Sequence, residues 1–438
     1  MRIPCFNILF LLIALLSLSL NLNAQSGKIV IDSIKISGND ITEDFIILRE
    51  LSFKEKDVVD NRTLKFNKER IFSLGLFTSV DLDIEKFPKY NQLNIVVEES
   101  WYIYPIPFIS RSNQKKNSYS YGVNVEIKNF RGRNEYLKGS TTFGYDPSFS
   151  VMYDNPAFLF KDELGMRVGL SYSKTNNKNN AINEAVGGEF TTENYGTDFM
   201  LYKRLNQFDI ISVPTSFTYI HYPNKIDRSI TASRESIDRI LAVGISYLHD
   251  SRDLKQFPKE GFFLYTNVSH KGFGITDINY NVLYFDVRYY QPINDFLFSK
   301  FRYTNRLTSN TVPFFDLSYL GYGEIIRGRR DDQREGNNLF KGSVELFTPI
   351  LENLNYKFKL PLIPKSLTSG RVGIYFSVFA DVGTVLNNNN QGIAIDMLSG
   401  GYGAGITILI LPYNSIRFEY AFGQKNKGEF SIDTGISF

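Results

Sequence analysis

Cysteine is close to absent from this sequence. Cys5 is the only one among 438 residues, and it precedes an apolar stretch at residues 8–20. It therefore cannot be a lipidated cysteine at a cleavage point, and a chain trimmed before Gln25 would hold no thiol. Disulfides and thiolate-bound metals are excluded on that count. Histidine is scarce too: His221, His249 and His270 are the full set, each near an expected strand end or turn. No G-x-S-x-G elbow and no H-E-x-x-H pair occurs. His249, Asp250 and Ser251 are adjacent, but neighbours on one strand or turn cannot assemble a triad side by side. Catalysis, a cofactor and a bound metal are accordingly not expected. Long apolar runs are missing after residue 25, so no stretch approaches the roughly 20 residues that a membrane-crossing helix needs. An excess of one charge is missing as well. The formal net charge is +3, and no basic run interleaves with aromatics, so no nucleic-acid partner is expected.

What the chain has in excess is aromatic side chains. There are 37 Phe and 27 Tyr beside the single Trp101. A soluble domain has little use for so many, whereas a transmembrane β-barrel sets them in girdles at both membrane interfaces. Residues 1–25 read as a secretory signal. Arg2 supplies the positive start, residues 8–20 the apolar core, and Leu22-Asn23-Ala24 a cleavage site before Gln25.

Residues 26–100 read as a small α+β module. Ile29, Ile31, Ile34 and Ile36 mark a strand, and Gly38-Asn39-Asp40 a turn. Thr42 is placed to cap a helix that runs to about Leu51, with Glu43 and Asp44 on its first turn. A second helix fits residues 62–74, closed by Gly75. Two strands follow, one alternating Val80, Leu82 and Ile84, the next Leu93, Ile95 and Val97. The order is βααββ.

From Trp101 to the end the pattern has period two. Expected strands are 101–109, 119–128, 136–145, 148–154, 164–173, 193–203, 211–220, 239–248, 262–270, 280–291, 295–306, 339–347, 371–380, 402–410, 414–422 and 428–438. That is sixteen, an even number, as single-chain bacterial barrels require. On the last strand Phe430, Ile432, Thr434, Ile436 and Phe438 face lipid, while Glu429, Ser431 and Asp433 face inward. One strand earlier Ile416, Phe418, Tyr420 and Phe422 point out, and Arg417 and Glu419 in. A charge on the lipid face at mid-membrane costs about 2–4 kcal/mol, which makes the face assignment strong. The long connections 174–192, 221–238, 307–338 and 381–401 all fall on the side away from the first module. The segment 348–370 is the exception, a longer inner loop rich in proline and lysine.

Several segments carry a family resemblance. GNDITEDFIILRELSFKEKDVV and KERIFSLGLFTSVDLDIE closely resemble a POTRA domain. That likeness implies a periplasmic module that binds unfolded clients or partner subunits by strand addition; a mere spacer is the plainer reading. The segment GYGEIIRGRRDDQ lies in the sixth outer loop and resembles the [VI]RG loop of the BamA/TamA superfamily. There the tripeptide folds back into the lumen and its arginine pairs with acids on the next two strands. Arg327 and Gly328 match, and Arg329 replaces the aromatic often found next. Strand alternation independently points Glu345 and Asp381 inward, and an arginine in a partly dry lumen needs such partners. A solvated loop arginine is the alternative. YLHDSRDLKQFPKEG resembles the family's DxRD…FPxxG turn, and FADVGTV, GYGAGI and LPYNSIRFEYAFG its strand motifs. The terminal Phe438 resembles the signal by which such barrels are recognised for insertion.

GGYGAG is no phosphate cradle, since no helix follows it. Gly401, Gly403 and Gly405 fit an inward face packed closely on the folded-in loop. Pro105 and Pro107 lie on strand one, which must meet strand sixteen and Phe438 to close the barrel. Each proline lacks a ladder donor, so the seam is weak, unless both lie in a linker below the membrane. The resemblance implies an outer-membrane assembly factor with its POTRA domain in the periplasm. Its partners would be unfolded outer-membrane or secreted clients, periplasmic or lipoprotein accessory subunits, and outer-membrane lipid. A two-partner-secretion-like pore and a passive channel are the rival readings.

Overall fold

The computed structural model describes residues 2–3, 28–111, 118–159, 163–177, 179–224, 226–321, 323–361, 363–387, 393–423, 427–435 and 437. The expected signal segment thus lies outside the described residues, save for Arg2–Ile3, which pair with Ile393–Ala394. Ile436 and Phe438 lie outside them too.

The N-terminal module is a three-stranded sheet under two helices. Its central strand Asn91–Glu99 runs parallel to Ser33–Ser37 and antiparallel to Phe77–Lys86. Leu93, Ile95 and Val97 alternate onto the face that meets Ile46, Ile47, Ile71 and Phe72. The long helix Asn61–Phe72 starts where the Asp60 carboxylate accepts from Thr63 N at 2.7 Å. It ends before Gly75, whose φ of +69° suits glycine. The first helix is shorter than expected, Asp44–Leu48, and Thr42 does not cap it. The Thr42 hydroxyl is turned to Glu99, which it reaches at 2.6 Å, because that carboxylate also takes the Thr42 N–H. A small extra pair, Ile29–Val30 with Val58–Val59, completes the module.

The rest is one sheet of sixteen antiparallel strands in chain order. Each expected segment overlaps one of them. Strand 1 is Ile103–Arg111, strand 6 Thr191–Arg204, strand 8 Ile237–Asp250 and strand 11 Phe298–Ser309. Strands 12 to 16 are Asn338–Lys357, Ser369–Leu386, Ser399–Leu411, Asn414–Gly423 and Gly428–Thr434. Outward residues such as Phe430 and Ile432 are about 60% exposed, at 61% and 60%, whereas inward Glu419 and Asp381 are buried. Strands 12 and 13 run far past their expected ends, so the inner loop shrinks to 358–368. Register shifts at Pro349/Leu351 and Leu351/Leu354 explain the misreading. Extra residues on one strand break the period-two pattern while pairing continues beyond them.

Two apolar clusters close the ends. One joins the N-terminal module to the barrel, running from Ile71, Phe72 and Leu76 to Leu254, Phe257, Phe347 and Tyr375. Phe257 sits in the turn after strand 8. It stacks on Tyr375 with centroids 4.1 Å apart and meets Phe347 edge-on at 5.2 Å. The other cluster gathers Phe190, Tyr222, Ile226, Ile278 and Val312 from the loops of the far end.

The junction is also ionic. Arg70 is 1% exposed and donates to the carbonyls of Asp250, Arg252 and Gln207 at 2.9, 3.3 and 3.3 Å. It also reaches Glu50 at 3.3 Å, and Arg204 reaches the same carboxylate at 2.9 Å. Burial pushes the Glu50 carboxyl up, but Arg204, Lys255, Arg70 and Arg49 bring it below its ordinary value. Arg371 of strand 13 holds Glu69 through both Nη atoms, at 2.8 and 2.6 Å.

Candidate functional site

Outer loop 6, residues 310–337 between strands 11 and 12, does not stand out from the far end. It turns back, because its charged side chains find their partners on the inward faces of the strands. Arg327 is 7% exposed. Its Nε and Nη2 donate to the two Asp381 oxygens at 2.8 Å each, and its backbone N–H joins them at 3.1 Å. Its Nη1 reaches Glu345 at 3.0 Å and Glu419 at 3.2 Å. The guanidinium lies 3.6 Å over the ring of Phe379, which covers its apolar face. Three carboxylates from strands 12, 13 and 15 thus converge on one cation. Planar, bidentate arginine suits that task better than lysine.

Backbone fit makes the same approach possible. Gly328 has φ +83°, and a Cβ there would come within 2.7 Å of the Phe422 carbonyl carbon. A Cβ on Gly401 would lie 2.0 Å from the Arg327 carbonyl oxygen. The loop therefore lies directly on strand 14. Gly403 and Gly405 answer to a different need: a Cβ on either would strike the backbone of strand 15, at Tyr420 O and Phe418 O.

Sequence reasoning missed three partners. Alternation turns Glu419 inward without marking it as a ligand of Arg327. Lys300 on strand 11 is 1% exposed and donates to Glu345 at 3.0 Å, with its Nζ 4.2 Å over Phe257 and 4.6 Å over Phe347. Through it the Arg327 cluster touches the turn that carries the N-terminal module. Arg330 is the third. It contacts Asp433, Ser431 at 3.2 Å and Glu429 at 3.1 Å, all on the inward face of strand 16. The run of charge in Ile326-Arg327-Gly328-Arg329-Arg330 was the available signal, because each inward acid on strands 12–16 requires a cation. Loop 6 has a further tether at Glu324, which accepts from Arg302 at 2.7 Å and Lys341 at 3.0 Å.

Among the described residues the sheet begins at strand 1 and ends at strand 16, and no ladder joins the two. Pro105 and Pro107 lie inside strand 1, opposite Val125 and Val123 of strand 2 (Tyr119–Phe130), and not in a linker. Lys128 N donates to Tyr102 O, so the even-numbered backbone groups of strand 1 serve strand 2. By alternation the odd-numbered groups, with both prolines, face the open edge. The Phe438 assignment falls outside the described residues.

Residues 29–100 match the family model described as surface antigen variable number repeat, POTRA. Residues 129–438 match the Omp85 superfamily domain. The chain belongs to the Omp85 superfamily. Omp85 barrels are outer-membrane proteins that carry periplasmic POTRA domains. Solved structures agree on the fold. BamA from Haemophilus ducreyi lacking POTRA domains 1–3 is similar at 17% identity and a TM-score of 0.53, over 93% of this chain and 84% of that one. CdiB from Escherichia coli is similar at 13% identity and 0.57, over 92% and 75%. CdiB from Acinetobacter baumannii is similar at 14% and 0.52, over 93% and 73%. In this Omp85 chain the POTRA module is seated on the barrel turns, and loop 6 lies inside.

Proposed function

We propose that this Omp85 chain is an outer-membrane assembly factor. Its POTRA module receives client strands in the periplasm, and its barrel passes them to the bilayer between strands 1 and 16. One observation carries this reading: among the described residues strand 1 turns two proline positions, and no ladder, toward the last strand. A client strand can pair there, because an open edge presents unused N–H and C=O groups. Completing strand hydrogen bonds and burying apolar surface in lipid would drive insertion without nucleotide or metal. The loop folded into the lumen supports the same choice over a path through the pore, since Arg327 and Arg330 occupy that path.

The test is a disulfide engineered between strand 1 and strand 16 in the otherwise cysteine-free mature chain. Activity is expected to vanish under oxidation and return on reduction. A disulfide between Phe418→Cys and Ile432→Cys, which face each other on strands 15 and 16, should be tolerated. Full activity with a locked seam would replace lateral release by translocation through the lumen.

A further inference from the structure

Strand 12 stays beside strand 11 only as far as the pair Phe298 and Phe347. It then continues to Lys357, paired among the described residues with strand 13 alone. The result is a hairpin over 348–369 that hangs from the POTRA side of the barrel. Its inner face is spoken for. Lys357 reaches Glu98 of the POTRA sheet at 2.7 Å, Arg371 at its base holds Glu69, and Glu352 pairs with Lys259. Its outer face is not. Ile350, Leu354, Phe358, Leu360 and Ile363 are 62%, 52%, 60%, 52% and 45% exposed.

Two features say what covers that face. The first is continuity. The outward residues directly above it on the same strands, Val344, Phe376 and Val378, belong to the apolar belt of the barrel. The tip is not a free arm, because the hydroxyl of Tyr413, in the turn between strands 14 and 15, donates to the carbonyls of Ser366 at 2.6 Å and Ser369 at 3.2 Å. The tip is therefore held at the level of the inner turns, where an aromatic girdle forms from Tyr104, Tyr356, Phe358 and Tyr413. The second is charge. Residues 353–380 contain no Asp or Glu, and Lys359 and Lys365 flank the apolar tip, both exposed. The free strand edge is a poor alternative site, since Pro349 and two register shifts interrupt it.

We propose that this hairpin is an interfacial anchor for the periplasmic leaflet. Phe358, Leu360 and Ile363 lie among the upper acyl chains, and Lys359 and Lys365 hold anionic lipid phosphates. Apolar side chains beside lysines bind such a layer by burial plus attraction to anionic headgroups. The anchor would fix the POTRA module, through Lys357 and Arg371, at a set distance from the membrane. The inference rests on the outer-membrane barrel reading.

The experiment uses the full chain in phosphatidylcholine vesicles, with or without phosphatidylglycerol. Trp101→Phe removes the native reporter, and Phe358→Trp or Phe376→Trp supplies a new one. Lipids brominated on the upper acyl chain should quench both reporters to a comparable extent. Adding Lys359→Glu with Lys365→Glu should cut quenching of the Phe358→Trp reporter several-fold in phosphatidylglycerol vesicles and open it to aqueous acrylamide. The anchor is overturned if Phe376→Trp is quenched by bromine while Phe358→Trp answers only to acrylamide. It is equally overturned if Phe358→Trp is wet in vesicles but shielded in native outer membranes, since a periplasmic protein would then be the cover. Indifference of both reporters to bromine would sink the barrel reading itself.

Discussion

Arg330 holds Asp433. Its Nη1 lies 3.2 Å from one carboxylate oxygen and its Nη2 bonds the other. The last strand of the barrel is therefore fastened to loop 6, three residues from Arg327, while among the described residues no ladder joins it to the first strand.

That arrangement makes Arg330 and Asp433 a coupled pair. Arg330→Ala and Asp433→Asn should each loosen strand 16, and the double variant should cost little more than either. A double-mutant cycle on the denaturation midpoint should return a coupling of about 0.5–3 kcal/mol. Strict additivity would mean that the contact does not hold the strand.

Arg327→Ala removes the cation that holds Asp381 and takes a shared partner from Glu345 and Glu419, which keep Lys300 and Arg417. Breaking a buried pair in this way costs about 3–5 kcal/mol. Heat-modifiable gel migration should still show a folded barrel, with a lowered denaturation midpoint and impaired assembly activity. Arg327→Lys should recover only part of the loss, because an ammonium cannot grip both Asp381 oxygens while reaching Glu345 and Glu419. Full recovery by lysine would show that charge alone matters there.

Phe257 is the apolar bolt between POTRA module and barrel. Truncating a buried Phe typically costs about 3–5 kcal/mol. Phe257→Ala should release residues 28–100 to limited proteolysis, and Phe257→Leu should do so far less. Trp101, at the start of the barrel, reports the loosening by a red shift of its emission.

Asp253 should make the junction sensitive to mild acid. It lies in the same turn, accepts from Lys259 N at 3.0 Å, and its carbonyl takes the Ser73 hydroxyl at 3.3 Å. Burial raises its carboxyl to about 6 from 3.8, against the pull of the surrounding N–H groups. The protonated form is thus the one the fold prefers. Its contribution is fully present below pH 3.8 and lost as pH rises through about 6. Between pH 7 and 5 the junction should tighten, read as a rising denaturation midpoint followed by Trp101 emission. Asp253→Asn should flatten that rise; an unchanged slope would assign it to another group. The depressed Glu50 acts in the opposite sense and only nearer its ordinary value of 4.5, so it does not confuse this window.

The sequence by itself determined which way most side chains face. Alternation is a local property of the pleated backbone, so Glu345, Asp381, Glu419 and Asp433 declare themselves inward from their neighbours alone. The same logic fails where the period breaks, as at Pro349–Leu354, where bulges hid half of the hairpin built by strands 12 and 13. The α+β order of the first module is legible for a similar reason, but the role of Thr42 is not, because its partner Glu99 lies 57 residues away. Tertiary structure decided which inward charges meet. Strand stagger and lumen width set that Arg327 gathers three acids, that Lys300 reaches both Glu345 and Phe257, and that Arg330 takes strand 16. Those distances depend on how sixteen strands close around one loop, and no local periodicity encodes them.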